Sequence, residues 1–239
     1  MPASGSRTQP THVLLDFFGT LVSYSPEPEG LSYPRAHRIV RELGASAGNQ
    51  EFLRVWAEKF DRLEDRAVAD HAEFSMDDIA AAVLARLLPR RPRPAEARAL
   101  AAAYLAEWNT GVSYPADTAA VVRALASRYT LAVVSNTIDT ELVPAHLHAL
   151  GIAGHFDTVV LSVEVGWRKP HPAIYAEALR RLRIDPASTV FAGDTYEADY
   201  AGPVRSGLTA FLIDPDGRHD IPASQRLRTL ADLPARLGL

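Results

Sequence analysis

Near the N-terminus the chain reads His12-Val13-Leu14-Leu15-Asp16-Phe17-Phe18-Gly19-Thr20. The run Val13–Phe18 is short and mostly apolar, which is typical of a strand buried inside a parallel sheet. An ionisable carboxylate, Asp16, lies where such a strand would end and open into a crevice. A glycine and a hydroxyl follow at Gly19 and Thr20. This pattern predicts the first strand of an α/β sheet with a carboxylate at its carboxyl end.

Residues 22–115 have a different pattern. They lack strong strand signals and carry helical periodicity instead. The predicted helices are Tyr33–Leu43, Gln50–Asp65, Met76–Leu88 and Ala95–Trp108. The proline- and arginine-rich run Pro89–Pro94 is predicted to be a loop between the last two. We therefore expect a helical cap domain over residues 22–115, inserted after the first strand.

From residue 116 onward, predicted strands and helices alternate. The strands are Leu131–Ser135, Thr158–Ser162, Thr189–Ala192 and Leu208–Ile213. The helices are Thr140–Leu150, Pro172–Arg183, Asp199–Ser206 and Leu230–Leu237. Repeated β–α units with apolar strands predict an α/β fold, a Rossmann-like doubly wound parallel sheet with helices on both faces. Residues 11–21 and 116–239 would form this core, and residues 1–10 a flexible tail.

Composition restricts what this protein can be. Its 239 residues carry a net charge of −4 and no clustered basic face, so we expect no nucleic-acid partner. The absence of cysteine excludes disulfides, thiolate metal sites and a cysteine nucleophile. No apolar run approaches the roughly 18 residues that span a bilayer, and the N-terminus lacks an apolar signal core. We therefore expect a cytoplasmic protein without a membrane partner, either a monomer or a homodimer.

Lysine is rare in this chain. Of the 25 basic residues, only Lys59 and Lys169 are lysines. Arginine stays protonated in proteins, whereas lysine is a compact charge whose pKa can be tuned. Each lysine is therefore a candidate for chemistry that arginine cannot do, with an ordinary surface role as the alternative.

Polar residues follow four predicted elements of the sheet. Asp16 ends the first strand, Ser135-Asn136 the second and Asp194 the fourth, and Lys169 lies in the loop after the third. Taken singly, each is an ordinary turn, cap or surface residue. Ligands of open α/β sheets bind at the carboxyl ends of the strands, where these side chains should converge. The set therefore predicts a functional site at that edge.

In these motifs the chain resembles the haloacid dehalogenase superfamily over about residues 12–215. The resembling segments are Asp16-x-Phe18-Gly19-Thr20-Leu21, Val133-Val134-Ser135-Asn136, Gly166-Trp167-Arg168-Lys169-Pro170-His171-Pro172 and Gly193-Asp194-Thr195-Tyr196-Glu197-Ala198-Asp199. The helical insertion is similar to that of the subclass with an α-helical cap after the first strand. The resemblance implies a hydrolase acting on a small anionic substrate.

The resemblance also implies roles for individual residues. Asp16 would be the nucleophile that forms a covalent aspartyl intermediate. Mg²⁺ would be the cofactor, bound by Asp16, Asp194 and the backbone carbonyl of Phe18, since hard oxygen ligands suit this ion. The metal would draw charge from the transferring group and hold it in line with the nucleophile.

The other predicted residues would assist the reaction. Ser135 and Lys169 would hydrogen-bond and neutralise the anionic oxygens of the substrate. Thr20 and Asn136 would help to bind the substrate and support the site. Asp199 has two possible roles, as a further carboxylate at the metal or as the residue that orients Lys169.

Phe18 departs from the pattern of typical phosphatases in this superfamily. There the residue two positions after the nucleophile is a second aspartate, which protonates the leaving alcohol and later activates water. Phenylalanine can do neither, and a positioned general acid or base contributes about 10²–10⁴-fold to a rate.

Three hypotheses explain Phe18, and the sequence leaves all three open. L-2-haloacid dehalogenases carry an aromatic residue there and expel halide without a metal, but they typically have serine where this chain has Asp194. Without a cation, Asp194 and Asp16 would repel. The second hypothesis is Mg²⁺-dependent phosphoryl transfer with a good leaving group or substrate-assisted proton transfer. Phosphonatases of the superfamily also lack the second aspartate, keep the metal and use a cap lysine, for which Lys59 is the only candidate. The third hypothesis is a catalytically weak ligand-binding module. The electrostatic argument favours Mg²⁺-dependent hydrolysis of a small phosphorylated metabolite.

Overall fold

The computed structural model describes residues 9–25 and 31–239. The chain forms two compact units. We call them the sheet unit, made of Tyr114–Leu239 and the N-terminal segment up to Ser23, and the helical unit, Tyr24–Ser113. The tail expected for residues 1–10 lies outside the described residues except for residues 9 and 10. The domain division expected from the sequence, at residues 22 and 116, stays a prediction.

The sheet unit is built on a six-stranded parallel sheet with the order β3-β2-β1-β4-β5-β6. The strands are β1 (His12–Leu15), β2 (Thr130–Ser135), β3 (Thr158–Leu161), β4 (Thr189–Gly193), β5 (Thr209–Ile213) and β6 (Arg226–Leu227). β1 is central, with Leu15 opposite Val133 of β2 and Ala192 of β4. The strand order changes direction at β1, which places the ligand crevice of this fold class beside its carboxyl end. The predicted α/β fold with a Rossmann-like parallel sheet is confirmed.

Among its described residues, the helical unit contains four α-helices. They are α1 (Pro34–Glu42), α2 (Asn49–Asp70), α3 (Met76–Leu87) and α4 (Pro94–Trp108). Ser75 caps the N-terminus of α3: its hydroxyl accepts from the N–H of Asp78, while the Asp78 carboxylate accepts from the N–H of Ser75. This reciprocal pair satisfies two N–H groups that the helix end leaves open.

The arginine-rich loop before α4 is held by a single carboxylate. Glu96 accepts hydrogen bonds from Arg90 at 2.9 and 3.0 Å and from Arg93 Nε at 2.7 Å. The hydrogen bonds from Arg90, and then those from Arg93, lower the pKa of Glu96 to about 2. These two arginines therefore have a structural partner inside the helical unit.

The helices of the sheet unit differ from the sequence prediction in one important place. They are α5 (Thr118–Ala126), α6 (Leu142–Ala149), α7 (Ser162–Val165), α8 (Pro172–Leu182), α9 (Gly202–Arg205) and α10 (Leu233–Arg236). A continuous regular helix over Asp199–Ser206 was wrong, because a π-helix at Tyr196–Ala201 precedes α9. π-Helices are rare and often lie at functional sites. Two further helices, α5 and α7, and the strand β6 were not predicted from the sequence.

One hydrophobic core cluster of the sheet unit lies between the strands and α8. Leu14, Val134, Val160 and Phe191 of the sheet pack with Ile174, Tyr175 and Ala178 of α8, all essentially inaccessible to solvent. Within the described residues, no helix combines the length and apolar character needed to cross a membrane.

Candidate active site

Asp16 directly follows β1 and is buried, with 6% of its surface exposed. Its N–H donates to the carbonyl of Ala192 at 3.0 Å, which extends the pairing with β4 by one residue. Its Oδ1 accepts from Lys169 Nζ at 2.6 Å, and its Oδ2 accepts from Thr20 Oγ1 at 3.3 Å. The end of the central strand thus fixes the proposed nucleophile between an ammonium and a hydroxyl.

The turn after Asp16 depends on Gly19. The carbonyl of Phe17 accepts from the backbone N–H groups of residues 20–22 at 2.8 to 3.3 Å, which folds Thr20 back toward Asp16. Gly19 has φ +87°, a left-handed conformation that favours glycine. A Cβ at this position would also overlap the carboxylate of Asp194. Gly19 is therefore required both by the backbone and by the approach of a second carboxylate.

Lys169 is buried between two carboxylates. Its Nζ lies 2.6 Å from Asp16 Oδ1 and 2.6 Å from Asp199 Oδ1. The same nitrogen lies 5.2 Å from the centre of the Phe191 ring. Burial alone would lower the pKa of Lys169, but the two carboxylates together outweigh burial and raise it above its usual value. Lys169 is therefore a fixed positive charge.

Asn136 holds the backbone of Lys169. Its Oδ1 accepts from the Lys169 N–H at 2.7 Å, and its Nδ2 donates to the Lys169 carbonyl at 3.0 Å. Ser135 is fully buried at the end of β2, and its Oγ donates to the carbonyl of Asn136 at 3.3 Å. The structure thus joins Asn136 to Lys169, but it does not bring the Ser135 hydroxyl into hydrogen bond with Asp16 or Lys169. Substrate contacts of Ser135 and Asn136 stay predictions.

Asp199 has both carboxylate oxygens engaged. Oδ1 accepts from Lys169, and Oδ2 accepts from the backbone N–H groups of Asp194 at 3.2 Å and Thr195 at 2.9 Å. A Cβ at Gly193 would overlap this carboxylate, so glycine is needed there. Of the two roles left open by the sequence, these contacts match that of a residue orienting Lys169.

Asp194 approaches the site with an unsatisfied oxygen. Among the described residues, no group donates a hydrogen bond to its buried Oδ1. Burial, reinforced by the charge of Asp199, raises the pKa of Asp194 to about 6. Burial also raises the pKa of Asp16 to about 7, although Lys169 opposes this shift. Both carboxylates therefore lack sufficient positive charge from the protein.

The residues present fit a divalent cation with oxygen ligands. Oxygens of Asp16, Asp194 and Asp199 all lie within 4.8 Å of one another. These three carboxylates share one ammonium, Lys169, and Asp199 is already saturated. An unpaired, buried carboxylate oxygen costs free energy that a hard cation would recover. The carbonyl of Phe18, the third expected ligand, stays a prediction.

Phe18 belongs to an aromatic cluster and supplies no acid. Its half-buried ring meets Phe17 edge-on, with centroids 4.9 Å apart, and lies 6.4 Å from the ring of His146. His146 is buried and hydrogen-bonds through Nδ1 to the hydroxyl of Tyr114 at 2.8 Å. The position two residues after Asp16 is thus part of apolar packing.

Lys59, the other candidate lysine, lies in the helical unit. Its Nζ donates to Glu58 Oε1 at 2.9 Å. An imine-forming role for Lys59 stays a prediction.

Sequence reasoning missed three supporting residues. Tyr175 donates its hydroxyl to the carbonyl of Ala198 at 2.6 Å, Phe191 lies beneath Lys169, and Thr195 supplies an N–H to Asp199. Tyr175 and Phe191 read only as apolar positions of a helix and a strand. The one sequence signal for this support of Lys169 was the presence of Gly193 six residues before Asp199, because a Cβ at position 193 would overlap the Asp199 carboxylate.

The comparisons with known proteins agree on the family. Residues 10–207 match the haloacid dehalogenase-like hydrolase family. The chain belongs to this family, which confirms the resemblance inferred from its motifs.

Two curated relatives and two solved structures illustrate the range of similar proteins. The chain is 40% identical over 109 residues to human haloacid dehalogenase-like hydrolase domain-containing protein 3, covering 43% of each chain. It is 35% identical over 103 residues to a glyceraldehyde 3-phosphate phosphatase of Methanothermobacter thermautotrophicus, covering 43% of this chain and 45% of the relative. These matches span less than half of each relative's length.

The structural matches cover nearly the whole chain. A 2-haloacid dehalogenase from Pseudomonas syringae has a TM-score of 0.67, and an HAD phosphatase from Thermococcus onnurineus has a TM-score of 0.69. Each match is 23% identical and covers 95% of this chain and 98% of the other. At this identity they establish the fold alone.

Proposed function

We propose that this chain is a Mg²⁺-dependent hydrolase of a small phosphorylated metabolite, with Asp16 as the nucleophile. The observation that carries the proposal is the buried Asp194 Oδ1, which no described donor satisfies, beside a second raised-pKa carboxylate. Two neighbouring carboxylates repel unless a cation lies between them. The similarity to a glyceraldehyde 3-phosphate phosphatase supports a phosphate ester as substrate.

In the proposed reaction, an oxygen of Asp16 attacks phosphorus and the bond from phosphorus to the leaving oxygen breaks. Water then attacks the phosphorus of the aspartyl phosphate, the bond from phosphorus to Asp16 breaks, and inorganic phosphate leaves carrying the protons of that water. Oδ2 is the attacking oxygen in this proposal, because Oδ1 accepts the short 2.6 Å hydrogen bond from Lys169, whereas the one that Oδ2 accepts from Thr20 is longer, at 3.3 Å. When bound by Asp16, Asp194 and the Phe18 carbonyl, Mg²⁺ supplies positive charge to the transferring oxygens.

The other residues act on charge and orientation in this proposal. Lys169 opposes the effect of burial on the pKa of Asp16 and so favours its ionised form, and it neutralises the oxygens of the phosphoryl group. Ser135 and Asn136 contact those oxygens, and Thr20 holds Asp16 in line. Asp199 orients Lys169 through the 2.6 Å contact. We also propose the helical unit as the cap that selects the substrate.

Phe18 limits the substrates that this mechanism can use. Because residue 18 cannot protonate a leaving oxygen, the reaction should favour leaving groups that depart as stable anions. The rate with aryl phosphates should therefore fall as the pKa of the leaving phenol rises. A flat dependence, with bond cleavage rate-limiting, would mean that another residue supplies the proton.

Dehalogenase-type hydrolysis at carbon is the second candidate function. Phe18 favours it, because halide needs no proton to leave. Asp194 opposes it, because this chemistry brings no cation to neutralise the carboxylate. A third possibility, a weak ligand-binding module, predicts no turnover but an increase in stability on ligand binding.

A single screen separates these functions. Purified protein is assayed with phosphate monoesters, phosphonates and L-2-haloacids, each with Mg²⁺ and with EDTA. We expect turnover of phosphate substrates only when Mg²⁺ is present, and none in EDTA. Haloacid turnover that EDTA leaves undiminished would replace the proposed function with the dehalogenase function.

A further inference from the structure

Lys169 is supported by a set of residues that the chemistry itself does not use. Its Nζ contacts Asp199 at 2.6 Å on one side and lies 5.2 Å from the Phe191 ring on another. Both neighbours are buried, with 1% and 0% exposure. Any residue that fixes both neighbours therefore fixes the position of the Lys169 ammonium.

Tyr175 of α8 contacts Phe191 and the residue that precedes Asp199. Its ring meets the Phe191 ring edge-on, with centroids 5.9 Å apart. Its hydroxyl donates at 2.6 Å to the carbonyl of Ala198, the residue immediately before Asp199. Tyr175 is itself completely buried. Burial, and then the charge of Asp199, raises the pKa of its hydroxyl, so it stays a neutral donor.

The backbone at this point is built around the tyrosine hydroxyl. Ala198 and Asp199 lie within the π-helix Tyr196–Ala201. A Cβ at Gly202, directly after this π-helix, would overlap the Tyr175 hydroxyl, so that only glycine leaves room for it. The Tyr175 hydroxyl and the π-helix together determine the position of the Asp199 Cα atom, from which its side chain extends.

We propose that Tyr175 is a positioning residue for Lys169: its hydroxyl anchors the π-helix through the Ala198 carbonyl and so places Asp199 against the ammonium. This role extends the proposed function, and the kinetic part of its test rests on that function. The spectroscopic part does not, because it observes Lys169 without any substrate.

The test uses Tyr175→Phe, which removes the hydroxyl and keeps the ring on Phe191. Tyr129→Phe is the matched control: Tyr129 is also buried in the sheet unit, and its hydroxyl donates to the carbonyl of Leu237 at 2.9 Å. Both variants lose one tyrosine-to-carbonyl hydrogen bond. The two variants should therefore be destabilised to a comparable extent. Only Tyr175→Phe loses its hydrogen bond beside Asp199.

The readout is NMR of protein labelled in its lysine side chains. Because the chain has two lysines, two side-chain signals are expected, and Lys59→Arg assigns them. Tyr175→Phe should move the Lys169 signal and leave Lys59 in place, whereas Tyr129→Phe should move neither. If a phosphate substrate is turned over, kcat should fall about five- to tenfold in Tyr175→Phe, with a smaller change in KM.

An unmoved Lys169 signal in Tyr175→Phe overturns the proposal, whatever happens to stability or turnover. A moved signal in a protein that hydrolyses no phosphate substrate supports the positioning role and rejects the proposed function instead. The two failures are therefore distinguishable.

Discussion

Replacing Gly19 with alanine tests whether the position of Asp194 matters for function. Two separate effects are expected. Gly19 has φ +87°, and a side chain in the left-handed region costs about 1–2 kcal/mol of folding free energy. In addition, the new Cβ would overlap the Asp194 carboxylate, which must then shift from its position in the site. A misplacement on the order of 1 Å at a catalytic site can lower the rate about 10²-fold.

Gly151→Ala is the control that isolates the second effect. Gly151 has φ +66°, and no described atom lies within 4 Å of the Cβ that alanine would add. Gly151→Ala should therefore lose about 1–2 kcal/mol in urea unfolding and Gly19→Ala at least as much, while only Gly19→Ala loses phosphatase activity and apparent Mg²⁺ affinity. If Gly19→Ala kept kcat and Mg²⁺ affinity within about twofold of Gly151→Ala, the argument from Asp194 would be refuted.

Three further predictions concern single residues. Asp16→Asn should abolish turnover of every substrate, because the nucleophile is lost; a near-normal kcat would contradict the assignment. Asn136→Ala should lower the free energy of unfolding by about 1–3 kcal/mol, since two hydrogen bonds to the Lys169 backbone disappear, and an unchanged urea midpoint would count against this contact. Glu96 has a pKa of about 2 against a usual value of 4.5, so its stabilising effect is present above pH 4.5 and fades as pH falls toward 2. Thermal unfolding of Glu96→Gln should therefore approach that of the unmodified protein near pH 2.

The sequence predicted the sheet and the convergence of its polar residues because both depend on local patterns. Apolar runs marked β1, β2, β3, β4 and β5. The position of Asp16 at a strand end then followed from the parallel arrangement. β6 has two residues, too few for a pattern, and α5 was missed although its length would have allowed one.

What the sequence could not predict depends on contacts between distant residues. The choice between two roles for Asp199 needed its distances to Lys169 and to the N–H groups of residues 194 and 195. The residues of the π-helix, Tyr196–Ala201, carry no pattern that distinguishes them from a regular α-helix. Its association with Tyr175 joins positions 23 residues apart, which periodicity does not reveal.

The central claim is that Asp16 and Asp194 work together around Mg²⁺. The most direct measurement is turnover of an activated aryl phosphate by EDTA-treated, dialysed protein, before and after addition of MgCl₂, with Asp194→Asn in parallel. We expect negligible turnover without Mg²⁺, recovery on its addition, and little recovery in Asp194→Asn. Full turnover in EDTA, or equal recovery in Asp194→Asn, would contradict this claim.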